Sequence, residues 1–353
     1  MSVLKQPGKL QHHSFEEIIL QRCGAVRSEV STGPSFGVDV SVIDLPNGLA
    51  MAMTSDPLSL IPSLGLAESA WLSVHLMAND MATTGFAPMY AQFVLNLPAQ
   101  FSTEDFKTYW NYIHQYCKEI GVAITGGHTG FIEGQNSTIA GSGTFTTIAV
   151  KEQILTSAKA NTGDVILVTK QAALTATSIL AMSFPETVRN KAGKEVYDEA
   201  CELFWQTSSL TDSLTAVGTD EKLHEVTAMH DVTEGGVLGA VYEMAVASCH
   251  GVRLYNHAIP VGEVQQKVCS LFDLDPRYVV GAGAMIITVK NGTEDAVVKR
   301  LQQVNISCTA IGEITAKENG KKIIVNNVEE ELVYLERDPY WNAFFKAVKN
   351  GWK

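Results

Sequence analysis

The chain has 353 residues, 46% of them hydrophobic and 18% charged, with 26 basic against 38 acidic side chains and a formal net charge of −12. A length of this order divides into about two domains and buries roughly 75% of the surface an unfolded chain exposes, so the core needs no staple. Low charge with a mean hydropathy of +0.06 excludes a disordered chain, and an acidic balance without any Lys/Arg run argues against a nucleic-acid face.

Ser14-Phe15-Glu16-Glu17 reads as a capping box, opening a helix that stops near Gly24. The turn Leu45-Pro46-Asn47-Gly48 joins strands over 38–43 and 49–53. A helix over 66–84 ends at Gly85 and a strand covers 89–97. Ser102 opens a third helix with Phe106, Tyr109, Ile113 and Cys117 at helical spacing, closed by Gly121. A strand over 122–125 runs into the loop Gly126-Gly127-His128-Thr129-Gly130, and 137–150 completes a sheet of about four strands. The polar stretch 151–163 marks a domain boundary. Beyond it come a strand over 164–169, a helix over 174–182 and a long helical region over 195–217. The strand 226–229 enters His230-Asp231-Val232-Thr233-Glu234-Gly235-Gly236, and a helix follows through Leu238, Val241 and Met244. The tail 340–353 reads as helical. Strands alternating with helices in both halves give an α+β, mixed α/β protein. Its parts are an N-terminal helical segment (1–30), two domains (31–150 and 164–330) and a tail (331–353).

The six cysteines, Cys23, Cys117, Cys201, Cys249, Cys269 and Cys308, have no C-x-x-C pair and no zinc spacing, which suits free thiols in a reducing, cytoplasmic setting. The N-terminal residues have no apolar core, so no signal peptide is expected. The longest apolar stretch, 279–289, falls well short of the roughly 20 residues that span a bilayer, so no membrane partner is expected.

Four aspartates sit where strands or helices meet loops: Asp39, Asp56, Asp80 and Asp231. Each alone reads as a turn residue. Together, beside glycine-rich segments, they read as hard oxygen ligands of the kind that suit Mg²⁺. After Asp231, Thr233 is placed to cap a helix whose first turn holds Gly235 and Gly236, where exposed N–H groups attract an anion. Gly126-Gly127, after a strand, offers the same. Neither is a Walker loop nor a G-x-G-x-x-G turn. His75 and Asn79 are spaced to share one helix face, and His230 is expected to pack away from the Asp231 side of its strand.

The order of motifs resembles the superfamily of aminoimidazole ribonucleotide (AIR) synthetase, thiamine-phosphate kinase, selenophosphate synthetase and the hydrogenase maturation protein HypE. The segments that carry the resemblance are Gly37-Val38-Asp39, Thr54-Ser55-Asp56-Pro57, Asn79-Asp80-Met81-Ala82-Thr83-Thr84-Gly85, Ile124-Thr125-Gly126-Gly127-His128-Thr129, Gly163-Asp164 and His230-Asp231-Val232-Thr233-Glu234-Gly235-Gly236-Val237-Leu238. The HypE-like, AIR synthase-related branch is the most similar. The resemblance implies a two-domain PurM-like fold, a homodimer whose N-terminal sheets form a barrel, and ATP with Mg²⁺ in a cleft between the halves. It places Asp39, Asp56, Asp80 and Asp231 on metal-binding carboxylates, with Asp231 also the catalytic candidate. It places Asn79, Gly126, Gly127, His128, Thr129, Thr233, Gly235 and Gly236 on or beside the nucleotide, and Lys170, at a strand end, is within reach of ATP phosphates.

The implied activity is ATP-driven activation of a substrate oxygen, by phosphoryl transfer or by dehydration or cyclisation, on a small molecule or a protein terminus. A thiamine-phosphate-kinase-like kinase and a nucleotide-binding maturation partner with little turnover are the alternatives. Four departures bear on the substrate. Val38 precedes Asp39 where the kinases have a second aspartate, and His128 stands where the kinases and HypE have aspartate. There is also neither a Cys–Lys loop like that of selenophosphate synthetase nor a C-terminal cysteine like that of HypE.

Overall fold

The computed structural model describes residues 7–218 and 225–353. The chain divides into two compact units. The smaller comprises Glu29–Gly33 and Val40–Ile154; the larger comprises Pro34–Asp39, Leu155–Lys353 and the described part of Met1–Ser28.

The N-terminal helix is short. Helix α1 (His12–Ser14) continues into a wider π-helical stretch, Phe15–Leu20, and Ser14 makes no side-chain cap bond. The capping-box reading fails because Ser14 is itself helical, with φ −67° and ψ −35°, whereas a capping residue needs extended backbone.

The smaller unit is a six-stranded sheet in the order β1-β2-β3-β6-β4-β5. Its strands are β1 (Val30–Thr32), β2 (Ser41–Asp44), β3 (Leu49–Ser59), β4 (Tyr90–Pro98), β5 (Ala123–Ile132) and β6 (Ile139–Val150). β2 and β3 form the hairpin the sequence predicts, with Asn47 in the left-handed region at φ 63°. β3 runs past Asp56, which pairs with Gly143 inside the ladder instead of ending a strand. Helices α2 (Leu66–Ala82) and α3 (Thr103–Glu119) cover one face of the sheet. Ser102 caps α3 by accepting the Asp105 N–H at 3.0 Å, as its sequence position requires. Phe93, Phe145, Met77, Tyr109 and Ile113 fill the space beneath the helices and are fully or almost fully buried. The buried Tyr109 hydroxyl donates to the Ser59 carbonyl at 2.7 Å and meets Ser73 Oγ at 2.9 Å, which leaves no orphaned polar group there.

The larger unit holds a seven-stranded sheet in the order β13-β12-β9-β11-β7-β10-β8. The strands are β7 (Val165–Thr169), β8 (Val226–Asp231), β9 (Gly251–Tyr255), β10 (Met285–Val289), β11 (Cys308–Thr315), β12 (Lys321–Val325) and β13 (Val328–Glu331). Its helices are α4 (Leu174–Ser183), α5 (Pro185–Ala192), α6 (Lys194–Glu202), α7 (Leu210–Val217), α8 (Gly236–Ala247), α9 (Glu263–Leu271), α10 (Glu294–Gln303) and α11 (Pro339–Lys349). The single helical region expected over 195–217 is broken at Thr207, whose hydroxyl turns back to the Phe204 carbonyl at 2.7 Å. α8 lays Val237, Val241 and Met244 on a core with Val252, Ile286 and Ile311. A second core gathers Leu180, Phe184, Val188, Phe272 and Tyr340 around α4, α5, α9 and α11. Among the described residues no helix is long and apolar enough to cross a membrane.

Candidate functional site

β8 is the edge strand of the larger sheet and ends in His230 and Asp231, paired with Ile286 and Met285 of β10. α8 starts five residues later, so the strand end faces the start of a helix. Asp39 reaches this place because Gly37 passes tightly over α8. Gly37 has φ 73°, and a Cβ there would lie 2.4 Å from the Glu243 carbonyl oxygen, a contact no side chain tolerates.

Here a buried relay forms. His230 Nδ1 lies 2.7 Å from Asp39 Oδ2, and Nε2 lies 3.1 Å from Glu243 Oε2. The Tyr334 hydroxyl donates to Glu243 Oε1 at 2.8 Å. The expectation that His230 merely packs is corrected: it is buried at 1% exposure, but both ring nitrogens are hydrogen-bonded. Burial alone would lower its pKa; the charges of Asp39 and Glu243 outweigh that and raise it well above the usual histidine value. Burial would likewise raise the Glu243 carboxyl, but Lys9, His230 and Tyr334 hold it low.

One donor atom from each of Asp39, His230 and Asp231 lies within 4.8 Å of the others. Carboxylates accept and do not donate, so a histidine held between two of them donates from both nitrogens and has no lone pair for a metal. The donor set left is Asp39 and Asp231, hard oxygens that fit Mg²⁺, an ion bound through one or two carboxylates plus phosphates and water.

Beside them stands Lys9. Its ammonium donates to Thr233 Oγ1 at 2.8 Å and its N–H to Glu234 Oε2 at 3.0 Å. The residue lies on an exposed segment, but its ammonium end is crowded by protein. That crowding opposes the charge, yet Glu243, Asp231, Asp39 and Glu234 together raise its pKa above the ordinary lysine value.

The start of α8 differs from the sequence reading. Thr233 does not cap it by its side chain; Gly235 occupies the cap position. The Gly235 N–H donates to Asp338 Oδ2 at 2.8 Å, and the Gly236 N–H to the Thr233 carbonyl at 3.1 Å. Both donors that the sequence offers to a phosphate are thus engaged within the chain. Asp338 also accepts the Tyr340 N–H at 2.8 Å, so one carboxylate caps both α8 and α11. Burial raises its pKa to about 6.

Lys170 requires a correction too. Its ammonium donates to the carbonyls of Gln206, Ser208 and Gly283 at 3.2, 2.7 and 2.9 Å and pairs with buried Asp212 at 2.9 Å. An ammonium has three donors, so this side chain is a structural tie, with nothing left for a phosphate.

Within the smaller unit, Asp80 Oδ2 accepts the Thr54 hydroxyl at 2.7 Å. Asp80 lies near the end of α2, next to Asn79, which is fully buried. Asp56 is half-buried on β3. The expected loop 126–130 is instead part of β5, an edge strand parallel to β4, with Gly126, Gly127, His128 and Thr129 exposed. Gly127 has a steric reason of its own: at φ 143°, a Cβ would lie 1.8 Å from the Phe93 carbonyl oxygen. Gly126 has open space around it.

Residues 37–149 match the N-terminal domain of AIR synthase related proteins, and residues 161–325 match the C-terminal domain. The chain belongs to the AIR synthase related family. A Methanocaldococcus jannaschii protein named for hydrogenase expression and formation is 27% identical over 228 residues, 64% of this chain and 62% of that protein's length. The carbamoyl dehydratase HypE of Escherichia coli K12 is 27% identical over 276 residues, 76% of each chain. The crystal structure of HypE in complex with ATP shares the fold, with a TM-score of 0.67, 20% identity, and coverage of 94% of this chain and 96% of that one.

Asp39 lies within the N-terminal AIR synthase related match, yet it groups by contact with the larger unit. Sequence reasoning missed Lys9, Glu243, Tyr334 and Asp338. Only Asp338 left a legible signal, an Asp followed by Pro at the first helical position.

Proposed function

We propose that this chain is an ATP- and Mg²⁺-dependent enzyme that activates an oxygen of a small molecule or a protein terminus, by phosphoryl transfer or ATP-driven dehydration. The observation that carries this reading is the meeting of Asp39 and Asp231 at the mouth of the β8–α8 turn. Within the smaller unit, Asp56 and Asp80 keep the metal-binding role that the family resemblance implies. The same reading assigns Asn79, Gly126, His128, Thr129 and Thr233 to the nucleotide.

Mg²⁺ held by Asp39 and Asp231 would neutralise phosphate charge and polarise the phosphoryl group being transferred to the acceptor oxygen. The chain's own residues do the rest. Asp39 is fixed by His230, and Lys9 holds a positive charge at Thr233. Gly126 leaves the edge of β5 open to close approach.

Binding and hydrolysis of ATP with Mg²⁺ should be measured for the wild type and for Asp231→Ala. Wild-type binding that is lost in the variant supports the reading, and a wild type that neither binds nor hydrolyses ATP ends it. Turnover in the presence of thiamine phosphate separates the kinase alternative.

The reading includes a homodimer. The sheet face of the smaller unit opposite α2 and α3 exposes Tyr90, Val94, Ile148 and Val150 at 40, 37, 39 and 43%, an apolar face of the kind that a second copy covers. Val94→Glu with Ile148→Glu should convert a dimer to a monomer in light scattering. The described cysteines are all free thiols, which accords with a cytoplasmic setting.

A further inference from the structure

His230 is held more tightly than a packing residue requires. Both nitrogens are bonded to carboxylates at 2.7 and 3.1 Å, the ring is 1% exposed, and Glu243 is anchored in turn by Tyr334 at 2.8 Å. The chain Asp39–His230–Glu243–Tyr334 joins four separate segments and ends on a carboxylate that belongs to the metal reading. A lone carboxylate on a loop rotates about its last torsion and loses that freedom when it binds a cation. One whose Oδ2 is already fixed presents Oδ1 in a set direction.

We propose that His230 is a positioning residue, which clamps Asp39 by one oxygen so that the other faces the divalent cation, with Glu243 and Tyr334 holding the imidazole in place. The proposal rests on the metal reading given above for Asp39 and Asp231. His230 itself is not a ligand. Its positive charge works against a nearby cation, so the proposal requires that the gain from orientation exceed that repulsion.

The test uses Mn²⁺ titrated into the full chain with a saturating non-hydrolysable ATP analogue, read from the free-Mn²⁺ electron paramagnetic resonance signal. Outer partners of metal ligands are typically worth about 10–100-fold in metal affinity. His230→Gln should therefore weaken Mn²⁺ by roughly that factor. Glu243→Gln and Tyr334→Phe should each weaken it in the same direction by a smaller factor. The Mg²⁺ concentration for half-maximal activity should rise in step, while kcat at saturating metal changes little.

Wild-type Mn²⁺ affinity in a folded His230→Gln chain overturns the proposal. So does tighter binding, which would make the imidazolium chiefly a competing charge. Loss in His230→Gln with no change in Glu243→Gln or Tyr334→Phe overturns it as well, because His230 would then act as a direct ligand. If His230→Gln does not fold, the Glu243 and Tyr334 variants decide alone. A wild type that binds no Mn²⁺ sinks the metal reading itself, an outcome distinct from variants that match a metal-binding wild type.

Discussion

The Lys9 ammonium donates to the Thr233 hydroxyl at 2.8 Å, joining positions 224 residues apart. The neighbouring Glu234 receives the Lys9 N–H on one oxygen and Trp341 Nε1 on the other, at 3.0 and 3.1 Å. The N-terminal segment therefore carries a positive charge to the same carboxylates that are read here as cation ligands.

Replacing that charge should make the carboxylates more attractive to a cation. Lys9→Met should strengthen Mn²⁺ binding in the absence of nucleotide by roughly three- to tenfold, since a nearby like charge is worth on the order of 1 kcal/mol. Calorimetric titration checks this. Unchanged affinity would mean that Lys9 does not bear on those carboxylates.

Lys170→Met should lower stability without touching nucleotide binding. Asp212 is 1% exposed and would lose its counter-ion, and breaking a buried pair typically removes about 3–5 kcal/mol. Denaturant unfolding should show the loss, while the folded variant binds an ATP analogue as the wild type does. Weakened binding in the folded variant would restore Lys170 to the nucleotide site.

Asp338 should leave a signature in pH dependence. Its carboxyl titrates near 6 in the fold against 3.8 in an open chain, because burial opposes its charge. The folded state therefore binds this proton more tightly than the unfolded state, so the contribution is complete below about pH 4 and is lost as pH rises to about 6. The stability difference between wild type and Asp338→Asn should shrink across that window by up to about 3 kcal/mol, at roughly 1.4 per pKa unit. A flat difference would show that the carboxyl is ordinary.

The two adjacent glycines of β5 should separate. Gly127→Ala places a Cβ 1.8 Å from the Phe93 carbonyl oxygen, and should remove about 3 kcal/mol or more of stability through strain and displaced strand pairing. Gly126→Ala meets nothing within 4 Å; it should keep the fold and weaken an ATP analogue by roughly tenfold if phosphate approaches there. Unfolding curves and analogue titrations read the two effects independently.

Local signals carried much of the fold. Ser102 before a run of helical spacing and the Pro46-Asn47-Gly48 turn both specify their elements within a few residues. Asp39 and Asp231 stand out in the sequence beside glycines, Gly37 before the one and Gly235-Gly236 after the other, and they are brought together in the larger unit. What sequence could not show was set by distance. Thr233 looks like a helix cap until Asp338, 103 residues away from Gly235, takes that N–H. His230 looks like packing because nothing local says that Asp39 and Glu243 will close on its two nitrogens. Gly126 to Gly130 read as a loop because glycine usually marks turns, whereas the pairing of β5 with β4 overrides that preference.

Residues 34–39 belong to the larger unit although the chain on either side of them belongs to the smaller one. No single cleavage can therefore divide this protein into two self-sufficient pieces. A fragment starting at Leu155 would carry His230 and Asp231 but lack Asp39, leaving a buried histidine with one of its two acceptors gone. Such a fragment should regain Mn²⁺ binding only when the residues around Gly37 and Asp39 are added back, as a peptide or on the complementary fragment.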